Sequence, residues 1–242
     1  MKNKEFFYLQ YNKINWQNQE KTKINALLNN YIIKKIILKK KDSNIKIFDI
    51  GIGIGFFYKM LYPNLIKDYK NIVLSGCEPS DKNYSYFLKK SLGIKKGITL
   101  KTYKKTFLET KTKDKFDFIT AIYTFTNFLS NDMEKTVRKI YSMLEKNGKF
   151  ILVVANVESL QKRLETKKDL FIENNIIEFN GKKYKETLHY SDIPQIGKII
   201  DYNRDEAYYL DSFAKNKFAL VQKTDLNDNG FICTIFVFEK KY

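Results

Sequence analysis

Residues 45–57, Ile-Lys-Ile-Phe-Asp-Ile-Gly-Ile-Gly-Ile-Gly-Phe-Phe, constrain the fold more than any other stretch of this 242-residue chain. An apolar run leads into Asp49, and Gly51, Gly53 and Gly55 follow at every second position. The run reads as a strand covered on both faces of a parallel sheet. The glycines read as a tight turn that lets a ligand approach the backbone. A helix over Phe56–Tyr62 is expected next, stopped by Pro63. A ligand on the turn would meet bare amides and a helix N-terminus. The spacing excludes the dinucleotide pattern GxGxxG, because the third glycine would fall at Phe56 or Tyr58. No GxxxxGK[ST] phosphate loop is present. Asp49 stands ahead of the glycines, where it would repel a pyrophosphate and welcome a cation.

The second strand reads Asn71–Gly76 and runs into Cys77-Glu78-Pro79-Ser80. An acidic residue about 20 positions past the turn, at a strand end, suits a ribose diol. Its charge strengthens both hydroxyl hydrogen bonds. Pro79 fixes the strand exit, and Ser80 and Asp81 can cap a helix over Tyr84–Leu92 that Gly93 ends.

Asp49, the three alternate glycines and Glu78 together resemble the D/E-x-G-x-G-x-G motif set of class I S-adenosylmethionine-dependent methyltransferases. That cofactor has a sulfonium, an amino group and no phosphate. The resemblance implies an α/β fold, a Rossmann-like three-layer sandwich with a seven-stranded, mostly parallel sheet whose last strand is antiparallel. It implies S-adenosyl-L-methionine as cofactor and S-adenosyl-L-homocysteine as product. Asp49, Gly51, Gly53, Gly55, Glu78, Pro79 and Ser80 would line the cofactor site. After a third strand over Ile98–Thr102, Thr106 and Phe107 match the family's adenine contacts, with Thr in place of the usual acid. The segment Asp114–Tyr123 is similar to the family's FD-plus-apolar strand, which puts Ala121 and Ile122 beside the cofactor and Tyr123 at the catalytic end. Ala-Ile-Tyr-Thr stands where amide- and DNA-base-modifying members carry [DNS]-P-P-[YF], which argues against those chemistries.

The remaining segments build around that core, and the chain reads as a single domain over 1–242. Residues 1–40 read as an N-terminal helical lid: Ile24, Leu27, Leu28, Tyr31, Ile32 and Ile36 recur at helical spacing behind an aromatic cluster. Family members often fold such a segment over the pocket, which would set Tyr11 and Trp16 on the cofactor and Tyr8 toward the acceptor. Residues 45–155 form the cofactor-binding core. They end with an amphipathic helix over Met133–Leu144, a stop at Asn147-Gly148 and a strand over Lys149–Ala155. In 156–200 the Asn180-Gly181 turn between Ile176–Phe179 and Lys183–Tyr190 signals a β-hairpin insertion after strand 5. In the family such insertions build the acceptor pocket, which would place His189, Tyr184, Tyr190 and Asp192 near the acceptor. The segment 201–242 reads as a capping box at Asn203–Glu206 and a helix to Lys215 with Ala207, Leu210 and Phe213 or Ala214 facing in. Strands over 218–222 and 231–238 follow, joined by a loop over 223–230.

Composition narrows the function. The net charge of +17 invites a nucleic-acid partner, but only three of the 44 basic residues are arginine (Arg138, Arg163, Arg204) and the lysines are scattered. A solvated surface is the favoured reading over a nucleic-acid footprint. No apolar run reaches 18 residues, so no membrane span is expected, and the first residues lack a signal-peptide core. Two cysteines in no metal-type spacing and one histidine leave no metal site and fit a reduced, cytoplasmic protein. Oligomeric state is left open.

Methyl transfer needs alignment and exclusion of water more than acid–base help. His189, the only histidine, is the general-base candidate by its location in the insertion. The sequence therefore reads as a methyltransferase acting on oxygen or nitrogen of a small-molecule acceptor. An RNA or protein methyltransferase and a non-catalytic cofactor-binding protein are the alternatives.

Overall fold

The structure, a computed structural model, describes residues 22–91, 97–164, 170–193 and 197–241, the side chains of 163–164, 170–172, 189–193 and 197–199 excepted. Helix α1 (Lys23–Lys35) and a short 3-10 turn (Ile37–Lys39) precede strand β1 (Asn44–Ile50). Alternation then gives α2 (Phe56–Asp68), β2 (Asn71–Cys77), α3 (Asp81–Lys90), β3 (Thr99–Tyr103), β4 (Phe116–Ile122), α4 (Ser130–Met143) and β5 (Leu144–Ala155). A helix α5 (Val157–Leu164) and three strands, β6 (Leu170–Phe179), β7 (Lys182–Ile193) and β8 (Gly197–Arg204), intervene. Helix α6 (Glu206–Lys215) and strands β9 (Phe218–Asp228) and β10 (Phe231–Lys240) end the described chain.

The main sheet has seven strands in the order β3-β2-β1-β4-β5-β10-β9. Only β10 runs against its neighbours, pairing antiparallel with both β5 and β9. This is the Rossmann-like sandwich expected from the glycine turn. One apolar layer packs α1 and α2 on one face of the sheet (Ile24, Leu28, Leu61, Leu65 against Ile47, Leu74 and Ile235). The other packs α4 and α6 on the opposite face (Val137, Ile140, Tyr209, Phe213 against Phe48, Phe150 and Phe236). The strand reversal between β1 and β4 leaves a crevice at their carboxyl ends, where open α/β sheets bind ligands.

Several local expectations change. Helix α2 runs through Pro63 to Asp68 instead of stopping at Tyr62. Leu65, fully buried two residues later, supplies the apolar contact that outweighs the missing N–H, and the Asn64 side chain donates to the Met60 carbonyl at 2.9 Å. Asn147-Gly148 is not a boundary between helix and strand. It forms an irregularity inside β5, where pairing jumps from Phe116–Leu144 to Phe118–Lys149. The expected loop over 223–230 is instead the far half of β9 and a tight Asn229-Gly230 turn. Its polar sequence fits an edge strand with one wet face.

The expected hairpin insertion forms as β6–β7, and a third antiparallel strand extends it in the order β6-β7-β8. Asn180 and Gly181, both left-handed, do form the β6–β7 turn. The capping box at 203–206 does not form. Asn203 and Arg204 finish β8, and the Asp205 carboxylate ahead of α6 accepts the Lys185 N–H at 3.0 Å. Helix α6 buries the expected Phe213 and packs Leu210 against the same core, but its other buried positions are Tyr208, Tyr209 and Ser212, while Ala207 and Ala214 face solvent. The aromatic rings claim the interior because they remove the most apolar area from water. No helix among the described residues is long and apolar enough to cross a membrane.

Candidate functional site

The site grows from the end of β1. Asp49 is paired across the sheet with Thr120 of β4, whose hydroxyl donates to its Oδ1 at 2.5 Å. This bond supports a carboxylate that is only 3% exposed. The chain then turns through Gly51, Gly53 and Gly55, all with positive φ. Gly55 shows why the residue type is required: its φ is 83°, and a Cβ there would lie 2.4 Å from the Phe87 ring of α3.

The turn's amides are not bare. Gly51 and Ile52 N–H both donate to the Cys77 carbonyl at 2.9 and 3.0 Å, and Gly55 N–H donates to Ile52. Gly53 N–H donates to Glu78 Oε2 at 2.9 Å. The expectation of an amide cradle therefore gives way to a turn whose donors are spent internally and whose ligand-facing charge is carboxylate. This suits hydroxyl and ammonium donors and disfavours phosphate.

Glu78, 6% exposed at the end of β2, is held at both oxygens, since Ser80 N–H donates to Oε1 at 2.8 Å. Burial pushes its carboxyl up to about 7 against the opposing pull of those hydrogen bonds. Ser80 Oγ caps α3 by accepting the Asn83 N–H at 3.3 Å.

These groups open into a cavity of about 700 Å³. Asp49, Gly51, Gly53, Glu78, Pro79, Ser80, Thr106, Phe107, Ile122 and Tyr123 line it, so the structure brings together most of the residues singled out from sequence. Thr106 spends its hydroxyl on Glu109, at 2.6 Å. Phe107 is buried against Phe48, with the Lys139 ammonium 4.9 Å from its ring centre. Tyr123 has a left-handed backbone (φ 55°) at the end of β4. Its hydroxyl is buried against the Cys233 thiol, which leaves the ring rather than the oxygen at the cavity wall.

Three expected residues are placed elsewhere. Gly55 packs under Phe87, as above. Ala121 lies one position short of the strand end and is buried in the α4-side core, opposite Leu152. Tyr184 donates its hydroxyl to Asp211 at 2.5 Å and packs edge-on against Tyr208, joining the insertion to α6 instead of lining the cavity. Tyr8, Tyr11 and Trp16 lie outside the described residues. So do the side chains of His189, Tyr190 and Asp192, although the backbone register of β7 pairs His189 with Asp201 of β8.

Sequence reading missed the other half of the wall. The β4–α4 connection supplies Thr126, Asn127 and Phe128; β8 supplies Asp201 and Asn203; α1 supplies Asn25 and Asn29; β9 and β10 supply Asp228 and Phe231. The available signal was the polar pair Asp201 and Asn203, two apart around Tyr202 and so on one face of the strand. Burial pushes the Asp201 carboxyl up to about 6, with a hydrogen bond to Thr126 pulling the other way.

Similar proteins agree with this architecture. A structure described as an S-adenosylmethionine-dependent methyltransferase from Clostridium acetobutylicum ATCC 824 aligns at a TM-score of 0.64 and 14% identity, covering 94% of this chain and 96% of that one. Magnesium protoporphyrin IX methyltransferase from Synechocystis PCC 6803, with bound S-adenosylmethionine, aligns at 0.67 and 10% identity over 100% and 98% of the two chains. The glycopeptide N-methyltransferase MtfA, in complex with S-adenosylmethionine, aligns at 0.60 and 12% identity over 87% and 92%. No curated protein sequence matches the chain. The sequence profile described as a methyltransferase domain matches residues 22–191, well over half the chain. With that match, on a Rossmann-like sheet whose crevice gathers Asp49, the glycine turn and Glu78, the chain belongs to the methyltransferase-domain family, in its class I form.

Proposed function

We propose that the protein transfers a methyl group from S-adenosyl-L-methionine to an oxygen or nitrogen of a small-molecule acceptor, releasing S-adenosyl-L-homocysteine. The observation that carries this reading is a single cavity wall holding two differently supported carboxylates, Asp49 and Glu78, at the glycine turn. The donor set fits the cofactor. Glu78 would accept the ribose hydroxyls, Asp49 would face the amino-acid ammonium, and Phe107 with Ile122 would flank the adenine. When bound, the cofactor supplies an activated methyl on sulfur. The chain itself has to hold the acceptor in line and keep water out.

The size of the cavity supports a small acceptor. A volume of about 700 Å³ lies well within the range of small-molecule pockets. Porphyrin and glycopeptide methyltransferases among the similar structures act on acceptors of quite different shape, so the likeness supports the reaction and leaves the acceptor to the cavity itself. The two cysteines are free and buried, which supports the reduced cytoplasmic setting read from the sequence.

Isothermal titration with S-adenosylmethionine and S-adenosylhomocysteine tests the reading. Binding of both is expected, weakened by about tenfold or more in Glu78→Ala through loss of charged hydrogen bonds. If neither ligand binds, the proposal fails.

A further inference from the structure

The chain carries 44 basic residues against 27 acidic ones. Its cavity reverses that balance. Among the described residues the charged groups of the wall are Asp49, Glu78, Asp201 and Asp228, and neither lysine nor arginine lines it. Scattered surface lysines therefore set the net charge, while the chemistry faces a negative interior.

The four carboxylates divide by support. Asp49 and Glu78 belong to the glycine turn. Asp228 lies at the end of β9 with the exposed Lys23 ammonium 3.8 Å away. Asp201 comes from β8 and has the Thr126 hydroxyl as its hydrogen-bonding neighbour; no cation lies against it among the described residues, and the side chain of His189, its cross-strand partner on β7, is outside them. Asp201 keeps part of its surface exposed, yet its carboxylate has no counter-ion among the described residues, and a fold retains such a group most readily where a ligand supplies the charge. A second, independent group in the same wall has one unpartnered atom among the described residues. Asn29 of α1 is 3% exposed, its amide nitrogen lies 3.7 Å from the Met60 sulfur, and its Oδ1 has no donor among the described residues. Both the Asp201 carboxylate and the Asn29 Oδ1 accept from N–H donors. Phe128 and Phe231 add apolar surface to the same wall.

We propose that the acceptor is a cationic alkylamine, and that Asp201 both binds its ammonium and takes its proton before methyl transfer. This rests on the methyltransferase reading above and narrows it to nitrogen. The ammonium enters paired with the Asp201 carboxylate. One N–H proton passes to the carboxylate, leaving a neutral amine and a carboxylic acid. The amine lone pair forms the new C–N bond with the cofactor's methyl carbon as the C–S bond breaks, and sulfur keeps that electron pair as a thioether. The product is a methylated ammonium and S-adenosylhomocysteine, so charge and atoms balance. A carboxyl raised to about 6 by burial is a stronger base than an exposed aspartate and is still ionised at neutral pH. Phosphate- and carboxylate-bearing acceptors are disfavoured by the same wall, which separates this site from a nucleic-acid groove.

The test uses the full chain loaded with S-adenosylhomocysteine and three matched probes: phenethylamine, 2-phenylethanol and 3-phenylpropionate. Binding is followed by NMR titration up to about 10 mM, the range suited to fragments of this size. The amine is expected to bind about tenfold or more tighter than the alcohol, and the carboxylate not at all. Asp201→Asn, nearly isosteric, is expected to erase the amine preference while S-adenosylhomocysteine affinity stays the same, which also shows that the variant is folded. With any amine that proves to be turned over, the variant is expected to lose kcat as well as to raise KM. The proposal is overturned if the carboxylate binds as well as the amine, if none of the probes binds, or if Asp201→Asn keeps the preference. Failure of S-adenosylhomocysteine to bind in the first place would instead overturn the methyltransferase reading.

Discussion

The Arg204 Nε lies 2.7 Å from Glu186 Oε2, and both side chains are almost wholly removed from solvent. The contact is an ion pair more than a directed hydrogen bond. The guanidinium's directed bonds go elsewhere: Nη1 donates to the Phe125 carbonyl at 3.3 Å, and Nη2 donates to the Phe128 carbonyl at 2.7 Å and to Ser130 Oγ at 3.2 Å. Ser130 in turn donates to Glu186 at 2.9 Å. One side chain at the end of β8 thus fastens the insertion to the β4–α4 connection, and both pieces it joins supply the cavity wall.

Arg204→Met removes the cation and strands the Glu186 charge along with two carbonyls. It is expected to destabilise the protein by about 3–5 kcal/mol, the range for breaking one side of a buried pair. Urea denaturation measures this. Pairing it with Glu186→Leu is expected to recover part of the loss, since apolar replacement of both partners removes the unpaired charge. A cost under about 0.5 kcal/mol, typical of surface changes, would show that the pair does not anchor the insertion.

Gly55 joins the glycine turn to α2 with φ 83°, and a Cβ there would collide with Phe87. Gly55→Ala is expected to cost about 1–3 kcal/mol from backbone strain, with overpacking of similar size on top. Gly55→Ala combined with Phe87→Ala relieves the collision but not the strain. Thermal unfolding of the single and double variants separates the two. If Gly55→Ala melts with the wild type, the left-handed conformation is not a requirement of the fold.

Asp49 and Thr120 make a third test. Thr120 is fully buried, and its hydroxyl donates to Asp49 at 2.5 Å. Thr120→Val keeps the volume and removes the donor, leaving a buried carboxylate short of one hydrogen bond. The expected loss is about 1–3 kcal/mol in the free protein. S-adenosylmethionine should restore part of it if Asp49 meets its ammonium. A thermal-shift gain from the ligand that is larger in the variant than in the wild type supports this, and an equal or smaller gain counts against it.

The parts of this molecule legible in the sequence are those whose chemistry is local. Asp49, the glycines and Glu78 announce themselves because a parallel strand, its turn and the next strand end occupy consecutive stretches of chain. Pro63 misled because burial of Leu65, a tertiary contact, decides where α2 ends. The edge strand β9 was hidden by its own wet face. Asp201 and Asn203 were missed for a different reason: their spacing puts them on one face of β8, but that this face meets the cavity follows only from β8 pairing with β7 and Arg204 clamping the insertion. The same holds for the turn amides. Their number follows from the sequence, but that the Cys77 and Ile52 carbonyls and the Glu78 carboxylate take those of Gly51, Ile52, Gly53 and Gly55 follows only from the fold.

Glu78 gives the site a pH dependence. Its carboxyl is pushed up to about 7, chiefly by burial, while the Ser80 and Gly53 N–H bonds pull it down. In the unfolded chain it titrates near the ordinary 4.5. Between those values the native state keeps a proton that the unfolded state has released, so Glu78's contribution to stability is present below about 4.5 and lost as pH rises to about 7. Ligand binding runs the other way. Ribose hydroxyls donate best to the ionised form, so affinity for S-adenosylhomocysteine is expected to climb as pH rises from 6 toward 8, by up to about tenfold per unit below the transition. The ligand's own amino group also titrates, so the wild-type slope is compared with Glu78→Gln. Gln can accept from only one of the two amides that Glu78 holds, which lowers affinity throughout, but it has no proton to lose in this range. A flatter titration in Glu78→Gln supports the assignment. Parallel slopes in the two proteins would place the ionising group elsewhere and remove Glu78 from the ribose.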